Sequence, residues 1–138
     1  MKAVLQDAFS KAGAAGKHPK HFLFFSQTKD GQLAADAFLA RLNERTEDRD
    51  AAVSNEMVQA QLAAITAWGQ QKGSNLHLLQ HPVFVANGDR TLWLRQSTRL
   101  NWRVSYPQSQ LSIFPDAGHD GIFQYHAVFV QQTLALLR

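Results

Sequence analysis

Two short runs of β-branched and aromatic residues in the second half of the chain constrain its fold more than any other feature. Residues 83–86 lie between a proline and an Asn-Gly pair, and residues 111–114 are closed by a Pro-Asp turn, which are boundaries typical of buried strands. A helical pattern follows each run, over residues 94–104 and 123–137. This strand–helix–strand–helix order predicts two parallel strands joined by a right-handed crossover, and hence an α/β fold.

The first half of the chain has helical patterns. Apolar residues recur at helical spacing in three stretches, residues 3–12, 33–44 and 54–68. The third stretch begins at Ser54, whose hydroxyl can cap free backbone N–H groups. Residues 21–25 form a short apolar run that fits either a strand or a buried loop. We therefore predict a helical region over residues 1–75 and a β-α-β-α part over residues 76–138, within one compact unit.

Composition excludes several classes of protein. The 138 residues fit one domain, and a hydrophobic share of 45% with only 18% charged residues argues against disorder. Because there is no cysteine, disulfides, thiolate metal sites and cysteine nucleophiles are excluded. No run approaches the roughly 18 apolar residues of a membrane helix, and Asp7 and Lys11 interrupt any signal peptide. We expect a cytoplasmic protein without a membrane partner, and its net charge of +3 permits acidic partners without requiring them.

Polar loops follow both predicted strands, where ligands and catalytic groups gather in a parallel sheet. These loops are residues 87–91 and 115–121, and the second one contains His119. A histidine in a glycine-flanked loop can exchange protons near neutral pH. The alternative is a loop histidine with no role.

Two longer stretches carry a family resemblance: PVFVANGD at 82–89 and LSIFPDAGHDGIFQYHAVFVQQTLALL at 111–137. They resemble the C-terminal end of the α/β-hydrolase fold family, in a bacterial branch with a Pro-Asp-(Ala/Ser)-Gly-His motif. Residues 8–68 are similar to the cap region of that branch. The resemblance implies a truncated protein with a partial α/β-hydrolase fold, in which a helical cap-like region precedes the last two strand–helix units.

The resemblance also implies a Ser–Asp–His triad, of which this chain carries one member. His119 stands at the family's histidine position, whereas the acid position falls on Thr91, which cannot carry the charge that stabilises an imidazolium. No Gly-x-Ser-x-Gly elbow occurs, so no nucleophile is assigned, and Asp120 replaces a glycine of the family pattern. We expect His119 to be vestigial and the chain to be a pseudoenzyme, incompetent alone in the ester or acyl hydrolysis that the family implies.

Other histidines offer weaker candidate sites. His18 and His21 flank a proline at a spacing that could suit a metal, but no third ligand accompanies them. We therefore predict no metal and no cofactor. His126 follows Tyr125 in the last predicted helix, and we expect it to help position that helix.

Three arginines form a possible cationic stripe on the helix predicted over residues 94–104: Arg95, Arg99 and Arg103. With two tryptophans nearby, the stripe could hold an anionic ligand or the phosphates of a nucleic acid. The stripe is short and the total charge is low. We favour a solvated helix face and expect no nucleic-acid partner.

Three interpretations of function stay open: a truncated hydrolase that is inactive alone, a small binding or interaction module that reuses the half-fold, and a degraded remnant with no selected function. The substrate is not indicated. Residues 83–86 would lack the strand neighbour that the rest of a hydrolase supplies, and open strand edges pair with other chains. We therefore predict a homodimer or higher oligomer, assembled through residues 83–86 or through the apolar face of the cap helices.

Overall fold

The computed structural model describes residues 2–73, 75, 78–92 and 109–138, in which four helices precede two strands and two further helices. In chain order the elements are α1 Lys2–Ala15, α2 Lys20–Leu23, α3 Lys29–Leu42, α4 Asn55–Gly69, β1 Val83–Gly88, β2 Ser109–Phe114, α5 Gly121–Gln124 and α6 His126–Leu136. No helix in these ranges combines the length and the apolar character needed to cross a membrane. The order confirms a mixed α/β fold with a helical first half.

Local sequence signals set the helix ends in the first half. The side chains of Thr28 and Ser54 accept hydrogen bonds from the backbone N–H groups of Gly31 and Met57, so each caps the helix that follows it. The cap at Ser54 was predicted, whereas α3 begins four residues earlier than the predicted 33–44 stretch because Thr28 caps it. α1 ends before Gly16, whose φ of 61° lies in the left-handed region that favours glycine after a helix.

The apolar run at residues 21–25 is neither a strand nor a simple loop, and this part of the sequence prediction needs correction. Its first three residues belong to the short helix α2. The carbonyl oxygen of Pro19 accepts from the N–H groups of Phe22 and Leu23 at 3.0 and 3.1 Å. Proline suits the start of a helix, because the backbone N–H that it lacks would have no partner in the first helical turn.

The strands β1 and β2 are parallel neighbours, as the strand–helix–strand order predicts. Their register pairs Val83 with Ser109 and Gly88 with Phe114. Both strands are two residues longer than the predicted runs, β1 at its carboxyl end and β2 at its amino end. The connection between them, with the helix predicted over residues 94–104, lies outside the described residues.

The first half of the chain packs directly on the loop after β2. The N–H of Asp120 donates to the carbonyl oxygen of Phe24 at 3.0 Å. A Cβ on Gly118 would lie 2.9 Å from the Cα of Phe25, so glycine alone fits there. The buried apolar side chains accordingly come from both halves: Ala8, Ala12, Leu23, Phe25, Ala35, Val85, Phe114 and Ala117. Contacts thus cross the boundary drawn at residue 75, and the division into two regions stays a prediction.

The helix α4 adds nothing to this core, since none of its residues is buried. Its apolar stripe is largely open to solvent: Val58 is 40% exposed, Ile65 43% and Trp68 74%. Helical spacing predicts which face of a helix is apolar. No described part of the chain covers the apolar face of α4.

Candidate functional site

The loops at the carboxyl ends of β1 and β2 hold each other by backbone hydrogen bonds. The N–H of Asp89 donates to the carbonyl oxygen of Phe114 at 3.0 Å, and the N–H of Arg90 donates to that of Ala117 at 2.9 Å. The Oδ1 atom of Asp89 also accepts from the N–H of Ala117 at 3.3 Å. These three bonds fix the position of the loop that carries His119.

His119 lies on this fixed loop with its ring against that of Phe24. The ring centroids are 5.8 Å apart and the planes are inclined by 36°. Partial burial lowers the pKa of His119, because surroundings of low polarity disfavour the charged imidazolium. The shift favours the neutral ring, which is the form that can accept a proton.

Thr91 is buried in the loop after β1, next to Arg90, whose N–H is bonded to the loop of His119. The position that the resemblance assigns to the acid thus lies at the same end of the sheet as His119. A threonine hydroxyl carries no charge and cannot stabilise an imidazolium as a carboxylate does. The roles of both residues in catalysis stay predictions.

No serine in the described ranges stands at a turn from a strand into a helix, where the elbow nucleophile of a hydrolase lies. The described serines lie in α1, in β2 or in the loops before α3 and α4: Ser10, Ser26, Ser54, Ser109 and Ser112. Three others fall outside these ranges: Ser74, Ser97 and Ser105.

A chain of hydrogen bonds joins the start of α3 to the loop of His119, and the sequence patterns do not predict it. The hydroxyl of Thr28 donates to Oδ2 of Asp116 at 2.5 Å and accepts from the N–H of Gly31 at 3.1 Å. Because the single hydroxyl proton of Thr28 goes to Asp116, Ser26 donates to Thr28 Oγ1, 2.9 Å away. Asp116 has a φ of 48°, which aspartate tolerates better than most residues. Threonine is a residue type that caps helices, and this is the one local signal that could have marked Thr28.

Two cavities flank this region. A cavity of about 310 Å³ is lined by Phe22, Phe25, Ser26, Gln27, Thr28, Arg90 and Leu92. We call it the Arg90 cavity. A smaller one, of about 190 Å³, has residues of α3 and α5 in its wall, among them Arg41, Phe38 and Gln124.

His21 is buried, and its two ring nitrogens face α3. Its Nδ1 lies 3.2 Å from Oε1 of Gln32, and its Nε2 lies 3.4 Å from Oδ1 of Asp36. His18 is separate from this contact, and its Nδ1 accepts from the N–H of Lys20 at 3.2 Å. Within the described ranges no three potential ligands come together around a metal-sized site. The expected absence of a metal stays a prediction.

The other residues singled out in the sequence have simpler outcomes. His126 begins α6, and its Nδ1 lies 3.1 Å from the carbonyl oxygen of Phe123, a contact that accords with a helix-positioning role. Arg95, Arg99 and Arg103 lie outside the described residues. Their solvated face, and the lack of nucleic-acid binding, stay predictions.

Comparison with known proteins shows which fold the chain shares. Neither a protein-family model nor a curated protein matches the chain. Among solved structures, the chain is similar to an α/β-hydrolase fold protein from Chitinophaga pinensis, with a TM-score of 0.81 and 36% sequence identity. The match covers 96% of this chain and 49% of that one, so the chain spans about half the length of the solved relative. The chain is related to the α/β-hydrolase fold proteins, and its structure is a partial α/β-hydrolase fold.

Proposed function

We propose that this chain is a hydrolase-like protein that does not hydrolyse esters by itself. The carrying observation is the buried Thr91 at the acid position, at the same end of the sheet as His119. A triad uses a charged acid to orient the histidine and to stabilise its protonated form, and neutralising that acid costs on the order of 10⁴ in kcat. A neutral side chain therefore stands where the reaction needs a charge.

The surroundings of His119 support the same proposal. Its pKa is lowered by burial, so proton uptake from a nucleophile is less favourable than in water. In a triad the carboxylate offsets such a loss, and Thr91 cannot. These 138 residues also contain no elbow serine, so the ester or acyl hydrolysis of a complete hydrolase would need a nucleophile from elsewhere.

The test combines a serine-directed fluorophosphonate with an activated ester, p-nitrophenyl acetate. We expect no labelled serine, and ester hydrolysis no faster than that by free imidazole at equal concentration. His119→Ala and a matched control, His126→Ala, should give the same rate as the original chain. Stoichiometric labelling, with turnover lost in His119→Ala and kept in His126→Ala, would refute the proposal.

We further propose that the chain assembles as a homodimer or higher oligomer. In the described part of the chain the sheet has two strands, and sheets this small need packing or further strands for stability. Two surfaces support assembly: the edge of β1 that no described strand pairs with, and the exposed apolar face of α4.

Sedimentation at micromolar concentration tests this assembly. Trp68→Glu, on the face of α4, should yield monomers if that face is the interface. Leu137→Glu, at a side chain of nearly the same exposure, is the matched control. An oligomer that survives Trp68→Glu excludes the face of α4 around Trp68 and favours the edge of β1, and a well-folded 15.4 kDa monomer of the unmodified chain contradicts the proposal.

A further inference from the structure

The Arg90 cavity lies beside the acid position, since Arg90 and Leu92 flank Thr91 in the sequence. Its wall is largely apolar, and its apolar lining residues are Phe22, Phe25 and Leu92. Neither His119 nor Thr91 is among the described residues that line it. Its volume of about 310 Å³ is at the lower end of the range for small-molecule sites, which combine apolar walls with a few placed polar groups.

The hydroxyl and amide hydrogens of this lining are already used inside the protein. Ser26 donates to Thr28, and Thr28 donates to Asp116. The side-chain N–H₂ of Gln27 donates to two backbone carbonyl oxygens within residues 21–25, at 2.9 and 3.3 Å. The side chains of Ser26 and Gln27 therefore offer the cavity oxygen acceptors rather than donors, whereas the donor and both lone pairs of the Thr28 hydroxyl are used.

Arg90 supplies the positive charge of the cavity. Its backbone is fixed by the bond to Ala117, while its side chain is 64% exposed. Its Nε lies 4.0 Å from Oδ1 of Asp89, the outer limit of an ion pair, and that oxygen also accepts from the backbone of Ala117. The guanidinium thus keeps donors for a ligand, in a planar fork that matches a carboxylate.

We propose that the Arg90 cavity binds a small carboxylate with an aromatic or aliphatic body. The guanidinium of Arg90 holds the carboxylate, and the rings of Phe22 and Phe25 cover the apolar body. One cation balances one negative charge. An inorganic phosphate would leave the apolar wall unused and would bring further charge towards the acceptor oxygens of Ser26 and Gln27.

The test is a titration of the full chain with benzoate, followed by calorimetry or by ¹H–¹⁵N chemical shifts. We expect a dissociation constant on the order of 1 mM, since the ligand is small and forms one charged contact. Arg90→Gln should weaken binding about tenfold or more. Arg41→Gln is the matched control, because that arginine lines the smaller cavity, and it should leave binding unchanged.

A second variant and two further probes keep the proposal falsifiable. Leu92 is 60% exposed, so Leu92→Glu should preserve folding and repel benzoate. Benzamide, which has the same shape without the charge, should bind at least about tenfold more weakly than benzoate. Equal affinity for benzamide, inorganic phosphate binding as tight as benzoate, or undiminished benzoate binding by Arg90→Gln would each overturn the proposal. None of these readouts depends on ester hydrolysis.

Discussion

The helices α3 and α4 have nearly the same length and the same kind of sequence, yet they lie in opposite environments. Both are rich in alanine, carry an apolar face and begin at a hydroxyl cap, Thr28 or Ser54. In α3 the side of Gly31 and Ala35 is buried. In α4 no residue is buried.

The difference in burial between α3 and α4 corresponds to the hydrogen bonds that each capping side chain forms outside its own helix. Thr28 donates to Asp116, and it thereby ties α3 to the loop after β2. The hydroxyl of Ser54 accepts from Met57 within its own helix, with its residue exposed. Two similar patterns therefore fold as similar helices, and a few contacts distant in sequence decide which one joins the core.

The largest difference between the two helices is expected for glycine-to-alanine substitutions. A Cβ at Gly31 would meet Oγ of Ser26 and would lie 2.6 Å from its carbonyl oxygen, whereas no atom lies within 4 Å of such a Cβ at Gly69. We expect Gly31→Ala to lower the free energy of unfolding by about 2–3 kcal/mol. Gly69→Ala should raise it by about 0.5 kcal/mol through helix propensity. Urea unfolding measures both, and equal effects would contradict the contrast.

The two caps provide a second comparison. Thr28→Ala removes a helix cap and leaves the carboxylate of Asp116 without its hydroxyl donor, and we expect a loss of about 2 kcal/mol. Ser54→Ala removes only an exposed cap, with an expected loss of about 1 kcal/mol or less. Thr28→Ser should restore most of the stability. If Ser54→Ala lowers the thermal unfolding temperature more than Thr28→Ala does, α4 makes packing contacts that are absent from the described residues.

Two acidic residues, Asp120 in the loop after β2 and Glu56 at the start of α4, should affect the stability of the fold in opposite ways as the pH changes. Burial raises the pKa of Asp120 to about 6, with Lys20 opposing the shift. Because the folded protein favours the protonated form, stability should fall as the pH rises from about 4 to about 6 and stay lower above that. Asp120→Asn should therefore stabilise the chain by about 1 kcal/mol at pH 7, allowing for solvent screening of a half-buried carboxylate.

The gain from Asp120→Asn should vanish below pH 4, where both side chains are neutral. Glu56, at the start of α4, is the matched control. Hydrogen bonding to Ser54 lowers the pKa of Glu56, so its contribution to stability is present at neutral pH and is lost as the pH falls. Glu56→Gln should therefore give no stabilisation at pH 7. An unchanged pH profile in Asp120→Asn would contradict the inferred burial of this carboxylate.

The smallest effect is expected on the apolar face of α4. Ile65→Gln should change the free energy of unfolding by less than about 0.5 kcal/mol at a protein concentration low enough to dissociate an oligomer. Thermal unfolding at two concentrations checks this value. A loss of 2 kcal/mol or more at the low concentration would mean that the face is covered within a single chain.

The sequence predicts those parts of the fold that local patterns determine. The two strands, their parallel order, the cap at Ser54 and the family resemblance all follow from short stretches of residues. The helix at residues 20–23 was missed, because an apolar run of five residues has no readable period. The start of α3 was missed because Thr28 is separated from the first apolar residue of the pattern.

The candidate site shows the same limit. The positions of His119 and Thr91 could be assigned from the resemblance, and the loops that carry them do lie together. The bond between Thr28 and Asp116 joins residues 88 positions apart, so no local pattern indicates it. The Arg90 cavity was missed for the same reason, since its lining combines residues 22–28 with residues 90 and 92.

The proposed lack of ester hydrolysis rests on a catalytic set of which this chain carries one predicted member, His119. Pre-steady-state hydrolysis of p-nitrophenyl acetate tests it most directly, since an acylated nucleophile releases one equivalent of nitrophenol in a burst. We predict no burst, and a linear rate that is the same for the unmodified chain and for His119→Ala. A burst of one equivalent per chain that disappears in His119→Ala would contradict this account.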